Sequence, residues 1–174
     1  ARDGTPLCFI GAGAYEHHIP TVVWDISTRG EFYSAYTPYQ AEASQGTLQT
    51  IYEYQTMMTE LTALDVSNAS MYDGASSLAA PALRAVRCNR KKDSGCILLA
   101  PGVNPTYEKV AVAIAGRQRL IFKHLSMDET TGNVGGDLDE SADPVAVVIQ
   151  QPSFFGTLED VDRLTDWAHQ QGAL

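Results

Sequence analysis

The turn Asp73-Gly74-Ala75-Ser76-Ser77 carries the densest set of chemistry-bearing groups in the sequence. It stands between a short alternating run and an alanine-rich run, so it reads as the start of a helix. Free backbone N–H groups and the positive end of a helix dipole favour anions at such a place, and two serine hydroxyls add donors. A phosphate suits that chemistry. Asp73 opposes it, because its carboxylate can accept the same N–H groups as an N-cap. An anion cradle and a capped helix start both stay open. The glycine pattern is not that of a Walker loop, which ends in Gly-Lys-Ser/Thr.

A second constellation is Tyr36-Thr37-Pro38-Tyr39-Gln40. Two tyrosines on a proline-stiffened loop beside a glutamine can stack on a flat ligand and hydrogen-bond its edges. The same composition also suits packing against a partner subunit. A third run, Phe9-Ile10-Gly11-Ala12-Gly13-Ala14-Tyr15-Glu16-His17-His18, has two of the three glycines of a dinucleotide fingerprint and no strand–helix unit around it. His17 and His18 are adjacent and diverge on a helix, and no Cys or acidic residue is spaced to complete a metal site. No metal ligand is assigned, and no catalytic residue. A Gly-x-Ser-x-Gly elbow is missing. Of the four lysines, Lys91 and Lys92 sit in a basic loop, Lys109 on an outward helix face, and Lys123 after a strand. None has the desolvated setting that a Schiff-base lysine needs.

These groups must be held by elements the periodicity outlines. Ile19 to Arg29 reads as a short helix with Pro20 in its first turn, and Glu31 to Gln40 as a loop. Leu48, Ile51, Tyr52, Gln55, Met58 and Leu61 recur at helical spacing, with Ser44 as N-cap and an end near Ala63-Leu64. Gln55 alone breaks that apolar stripe. Val66 to Met71 suggests a strand, and Leu78 to Arg87 a helix. Cys96–Ala100, Leu120–Phe122 and Val145–Ile149 are short apolar strands. A helix capped by Asn104 or Thr106 and running to Ala115, and another over Leu158–Gln170, alternate with them. Met127 to Asp143 reads as a surface loop or hairpin. Strands alternating with helices argue for βαβ units, a parallel sheet and helices on both faces. Uniformly apolar strands agree with that. The layout suggests an irregular arm over residues 1–45 and the first part of an α/β domain over 46–174. Its last residues resemble the approach to a further strand, so the chain reads as part of a larger fold.

The bulk numbers narrow the class. The chain has 174 residues, 44 % hydrophobic and 19 % charged, enough for a sizeable core. A formal charge of −9 and a pI near 4.7 disfavour nucleic acid and anionic membrane surfaces. No apolar run approaches the roughly 18–20 residues of a membrane helix, and Ala1–Pro6 is not signal-peptide-like. Three cysteines, Cys8, Cys88 and Cys96, at spacings matching no zinc or redox pattern, suggest reduced thiols and a cytoplasmic protein.

Several ordered segments resemble one family. Phe9-Ile10-Gly11-Ala12-Gly13, the Ala35–Gln40 loop, Glu42-Ala43-Ser44-Gln45-Gly46, Asn68-Ala69-Ser70-Met71-Tyr72-Asp73-Gly74-Ala75 and Pro152-Ser153-Phe154-Phe155-Gly156 look like the N-terminal region of glycine decarboxylase P-proteins. The Ser70–Gly74 form is similar to the alpha-type subunit. The resemblance implies the aminotransferase-like, type I pyridoxal phosphate-dependent fold, its large domain incomplete here. It implies a part in decarboxylating glycine and passing the aminomethyl group to the lipoyl arm of the carrier H-protein. Pyridoxal phosphate, an electron sink, suits that reaction. In two-subunit members the cofactor lysine belongs to the beta-type subunit. The alpha-type subunit pairs with it, helps shape the pocket through Tyr36, Thr37, Tyr39 and Gln40, and keeps Asp73–Ser77 as a vestigial phosphate-loop position. A non-catalytic dimerisation scaffold and another aminotransferase-fold enzyme stay open. Ala80 and Pro81 depart from the pattern, and proline there is expected to disturb its helix.

Overall fold

The computed structural model describes residues 17–40, 45–89, 92–136, 138 and 140–174. The Phe9–Gly13 run, Cys8, the Ser44 cap and Lys91 lie outside them. The chain divides into two compact units, one within Glu16–Tyr72 and the other over Asp73–Leu174. The boundary thus falls after Tyr72, and the long helix groups with the arm rather than with the α/β part suggested for residues 46–174.

In the N-terminal unit, α1 spans Thr21–Ser27. Pro20 is its N-cap in extended backbone rather than a first-turn residue, and the Thr28 hydroxyl closes the helix on the Trp24 carbonyl at 2.9 Å. A four-residue helix, α2 (Gly30–Tyr33), follows where the sequence suggested loop. The Arg29–Glu31 ion pair at 2.6 Å sits at its start, a local contact that apolar periodicity does not register. The long helix α3 spans Gln45–Thr62, and Ala63 in left-handed backbone (φ 57°) ends it. Gly46 faces the Glu31 carbonyl and the Phe32 ring, where an added Cβ would lie 3.5 Å from each. Leu48, Ile51, Gln55 and Met58 form the half-buried side of α3, whereas Tyr52 and Leu61 point outward. No described residue of this unit is fully buried.

Val66–Met71 is not a strand. Its carbonyls are taken by side chains instead of a ladder. The Gln55 amide donates to the Ser67 carbonyl at 2.7 Å, and the Tyr39 hydroxyl donates to the Ser70 carbonyl at 3.0 Å. Ser70 adopts left-handed backbone (φ 60°), which a regular strand cannot accommodate.

The C-terminal unit begins with α4 (Gly74–Cys88), starting four residues before the expected Leu78. The helix runs through Pro81 without a break. Pro81 faces solvent while Ala75, Ala79, Ala82 and Ala85 form the buried stripe. Three parallel strands follow: β1 (Cys96–Leu99), β2 (Ile121–His124) and β3 (Ala146–Val148), in the order β2-β1-β3. Ile97 stands opposite both Phe122 and Ala146. Helix α5 (Pro105–Ala115) links β1 to β2, and α6 (Val161–Gln170) follows β3.

Residue alternation along β1 divides the core. Ile97 and Leu99 pack in one cluster with Ala82, Ala85, Ala115 and Val145. Cys96, Leu98 and Ala100 pack in the other with Leu164, Trp167 and Ala168. Helices therefore cover both faces, and burial of Ile97, Leu99 and Leu164 contributes about 1.5–3 kcal/mol each. Only β1 is buried throughout. β2 is an edge strand among the described residues, with Ile121 53 % exposed, so its apolar run did not mark two covered faces. β3 bonds on its far side to Leu174: the Val147 N–H donates to the Leu174 carbonyl at 2.8 Å, and the Leu174 N–H to Val145 at 3.0 Å. The 127–136 segment closes through a single antiparallel bridge between Met127 and Val134. The buried Glu159 carboxylate accepts the Val134 N–H at 3.0 Å, and Arg163 donates to the carbonyls of Val134, Gly135 and Gly136.

Candidate functional site

Tyr36, Thr37, Tyr39 and Gln40 lie together on the loop between α2 and α3, and the loop does not enter a core. Tyr36 is 91 % exposed and its hydroxyl makes no hydrogen bond among the described residues. Tyr39 is also exposed, but its hydroxyl is tied to Ser70. Thr37 differs: its hydroxyl oxygen is enclosed and has no partner among the described residues. A buried, unsatisfied hydroxyl costs about 1–3 kcal/mol, so the loop carries an unmet hydrogen bond. Sequence reasoning missed the other half of this arrangement, the Ser67–Ser70 strap. The misplaced Gln55 in an apolar stripe was its signal.

In the C-terminal unit, the Asp73–Ser77 turn is occupied from within. The Asp73 carboxylate accepts the Ser76 N–H at 2.7 Å, and the Ser77 N–H donates to the Asp73 carbonyl at 3.0 Å. The Ser76 and Ser77 hydroxyls donate to that same carbonyl at 3.2 and 2.7 Å. The Ser76 amide holds the Asp73 carboxyl below the usual aspartate range, so it stays an anion and repels another. Gly74 is closed as well. An added Cβ would lie 2.5 Å from the Tyr107 hydroxyl oxygen, so this ring covers the first turn of α4. Tyr107 carried no sequence signal beyond its place in the first turn of α5. These residues do not fit a phosphate, and the vestigial reading remains a proposal.

Ligands of open parallel sheets bind outside the carboxyl ends of the strands. Here that end is built from two loops. Pro101–Asn104 follows β1, and the Gln150–Gly156 segment follows β3. The Asn104 side chain caps α5 by accepting the Thr106 N–H at 2.9 Å, while the Gln150 side chain accepts the Asn104 N–H at 2.8 Å. Ser153 is fully buried. Its hydroxyl pairs with that of Thr157 at 2.7 Å and accepts the N–H groups of Phe155 and Thr157. His124, ending β2, meets Glu108 of α5 at 3.0 Å. All of these are internal braces, and none leaves a convergent set of unpaired groups.

The described lysines do not fit a Schiff base with pyridoxal phosphate either. Lys109 and Lys123 are exposed. Lys92 is less solvated than the sequence suggested, because its ammonium pairs with Asp143 and its side chain is 15 % exposed. That makes it an ion-paired strut. Among the described residues no His, Cys, Asp and Glu side chains gather to hold a metal, and no helix is long and apolar enough to cross a membrane. His17 and His18 are exposed.

Comparison with known proteins gives one consistent answer. The profile of the family described as Glycine cleavage system P-protein matches residues 1–174. The chain is 59 % identical over 99 % of its length to a protein of Thioalkalivibrio sulfidiphilus named "Probable glycine dehydrogenase (decarboxylating) subunit 1", of which it spans 39 %. It is 55 % identical over 97 % of its length to the protein of that name from Alcanivorax borkumensis, spanning 38 % of it. A crystal structure of glycine decarboxylase (P-protein) of the glycine cleavage system, in inhibitor-bound form, superposes with a TM-score of 0.79 at 42 % identity. That match covers 94 % of this chain and 36 % of that one. The chain thus spans about two fifths of the length of the curated relatives it matches.

Proposed function

Because the chain belongs to the glycine cleavage system P-protein family, we propose that it serves as part of the first, alpha-type subunit of a glycine dehydrogenase (decarboxylating). In this reading the complex releases the carboxyl group of glycine as carbon dioxide and passes the aminomethyl group to the lipoyl group of the H-protein. The beta-type subunit is the partner and, as the family resemblance implies, holds pyridoxal phosphate on its own lysine; within this chain Lys92, Lys109 and Lys123 offer no such setting. When bound there, the cofactor supplies the electron sink for decarboxylation. The acidic composition and unpaired Cys88 and Cys96 favour the cytoplasm.

The contribution of this chain is its tyrosine loop. Among the described residues the exposed Tyr36 hydroxyl has no partner, and neither does the enclosed Thr37 hydroxyl. Polar groups left this way on a stiffened loop are suited to line a pocket shared with the beta-type subunit. There Tyr36 would orient a small carboxylate ligand by hydrogen bonding, while Thr37, Tyr39 and Gln40 would line the pocket and exclude water. The observation that carries the reading is the exposed Tyr36 hydroxyl, without a partner among the described residues, on a loop whose sequence resembles that of the P-protein family. The test is Tyr36→Phe in the assembled complex, which keeps the ring and removes the oxygen. Exchange of the glycine carboxyl carbon with bicarbonate should slow roughly tenfold, about 1.4 kcal/mol, with assembly unchanged. An unchanged rate would favour the scaffold reading, in which this chain supplies only fold and dimer contacts.

A further inference from the structure

The two exposed tyrosines of the loop are not equivalent. Tyr39 spends its hydroxyl on the Ser70 carbonyl at 3.0 Å, thirty-one residues away in sequence. Three residues before that carbonyl, Ser67 accepts from the Gln55 amide at 2.7 Å. The short strap between them is therefore pinned at both ends, to α3 through Gln55 and to the loop through Tyr39. Ser70 holds a left-handed backbone that non-glycine residues rarely adopt, and such conformations persist only where surrounding contacts fix them. Gln55 sits on the half-buried side of α3 between the apolar Ile51 and Met58. A polar residue there costs stability unless its amide is used. Nothing on the loop itself ties down Tyr36.

We propose that Gln55 and Tyr39 are positioning residues: they clamp the Ser67–Ser70 strap from two sides, and the strap holds the Tyr36–Gln40 loop so that Tyr36 alone presents its hydroxyl to the ligand. The ligand class is a small amino acid carboxylate, for which a phenolic O–H is a matched donor. This rests on the pocket reading above and assigns different tasks within it. Tyr39 and Gln55 touch no reacting atom. They set the fraction of time the loop is competent, and apparent affinity scales with that fraction.

The experiment uses the assembled two-subunit complex and measures glycine–bicarbonate carboxyl exchange as a function of glycine concentration. Tyr39→Phe removes one clamp, and Gln55→Met removes the other while keeping side-chain length. Each should raise the KM for glycine roughly threefold to tenfold, the span of one net hydrogen bond, and leave kcat within about twofold. Tyr36→Phe should raise KM as well. The double variant Tyr36→Phe/Tyr39→Phe should be no worse than Tyr36→Phe alone, because a clamp that acts through Tyr36 has nothing left to present. Additive losses would overturn the proposal and make Tyr39 a direct ligand contact. If Tyr36→Phe raises KM while Tyr39→Phe and Gln55→Met match the parent, the positioning role is refuted and the pocket reading survives. If Tyr36→Phe itself has no effect, both fall together.

Discussion

Gly102 tests how closely the two loops at the carboxyl end of the sheet are fitted. An alanine Cβ at this position would lie 2.4 Å from the Ser153 Cβ and 3.1 Å from its hydroxyl. Ordinary contact begins near 3.4 Å, so one side must yield by about 1 Å. Ser153 has nowhere to go. It is fully buried, its hydroxyl holds Thr157 and the N–H groups of Phe155 and Thr157, and the next N–H, of Phe154, donates to the Gly102 carbonyl at 2.7 Å. Overpacking of this kind costs about 1–3 kcal/mol, and each hydrogen bond bent out of line adds about 0.5–1.5 kcal/mol. Gly102→Ala should therefore destabilise the chain by about 3 kcal/mol. In a scan of thermal unfolding this is a fall of roughly 6–12 °C for a chain of this size. The companion Ser153→Gly removes the obstructing atoms, so Gly102→Ala should cost at least about 1 kcal/mol less in that background. A Gly102→Ala protein within about 0.5 kcal/mol of the parent, or equal costs in both backgrounds, would refute this account of the two loops.

Asn104→Ala should cost about 1 kcal/mol in denaturant unfolding, by removing the cap on the Thr106 N–H. The carboxyls of Asp73 and Asp128 should titrate below the ordinary aspartate range by NMR, because the N–H groups of Ser76 and Thr130 favour their ionised forms. Their stabilising contributions are therefore present above the ordinary aspartate pKa and are lost as pH falls through the lower folded values. A titration at or above the ordinary value would remove both from any acid-unfolding argument. Cys88 is exposed and Cys96 is buried with its thiol pushed up by desolvation, so a thiol reagent without reductant should label Cys88 quickly and Cys96 only on unfolding. Finally, borohydride treatment with pyridoxal phosphate should leave no stable adduct at Lys92, Lys109 or Lys123 by peptide mass mapping. An adduct on any of them at stoichiometric yield would contradict the assignment of the cofactor lysine to the partner.

Where burial is one-sided and periodic, the sequence was legible. The alanine stripe of α4 and the apolar run Cys96–Leu99 state their environment directly, and the caps Asp73 and Asn104 mark helix starts by side-chain chemistry. β2 shows the limit of such reading. Ile121 and Phe122 look like a buried strand, yet edge position is set by strand order, which no local pattern encodes. Val66–Met71 shows another limit. Its alternation is interrupted at Ser67-Asn68, and the Ser67 and Ser70 carbonyls bond to Gln55 and Tyr39 from other parts of the chain, a pairing that outweighs local propensity. Pro81 was expected to disturb α4, yet the helix continues through it with Pro81 on the solvent side. The tyrosine loop was recognisable from composition and family motif. That the Tyr39 hydroxyl and not that of Tyr36 bonds the Ser70 carbonyl was not, since it depends on where the chain brings a carbonyl within reach.

Reconstitution tests the central claim most directly. The subunit carrying this chain and its beta-type partner are each assayed alone and then together, with pyridoxal phosphate and the lipoylated H-protein, for exchange of the glycine carboxyl carbon with bicarbonate. The account predicts no exchange from this subunit alone, little from the partner alone, and full exchange from the pair, lowered roughly tenfold by Tyr36→Phe. Full exchange by the partner without this subunit would contradict it.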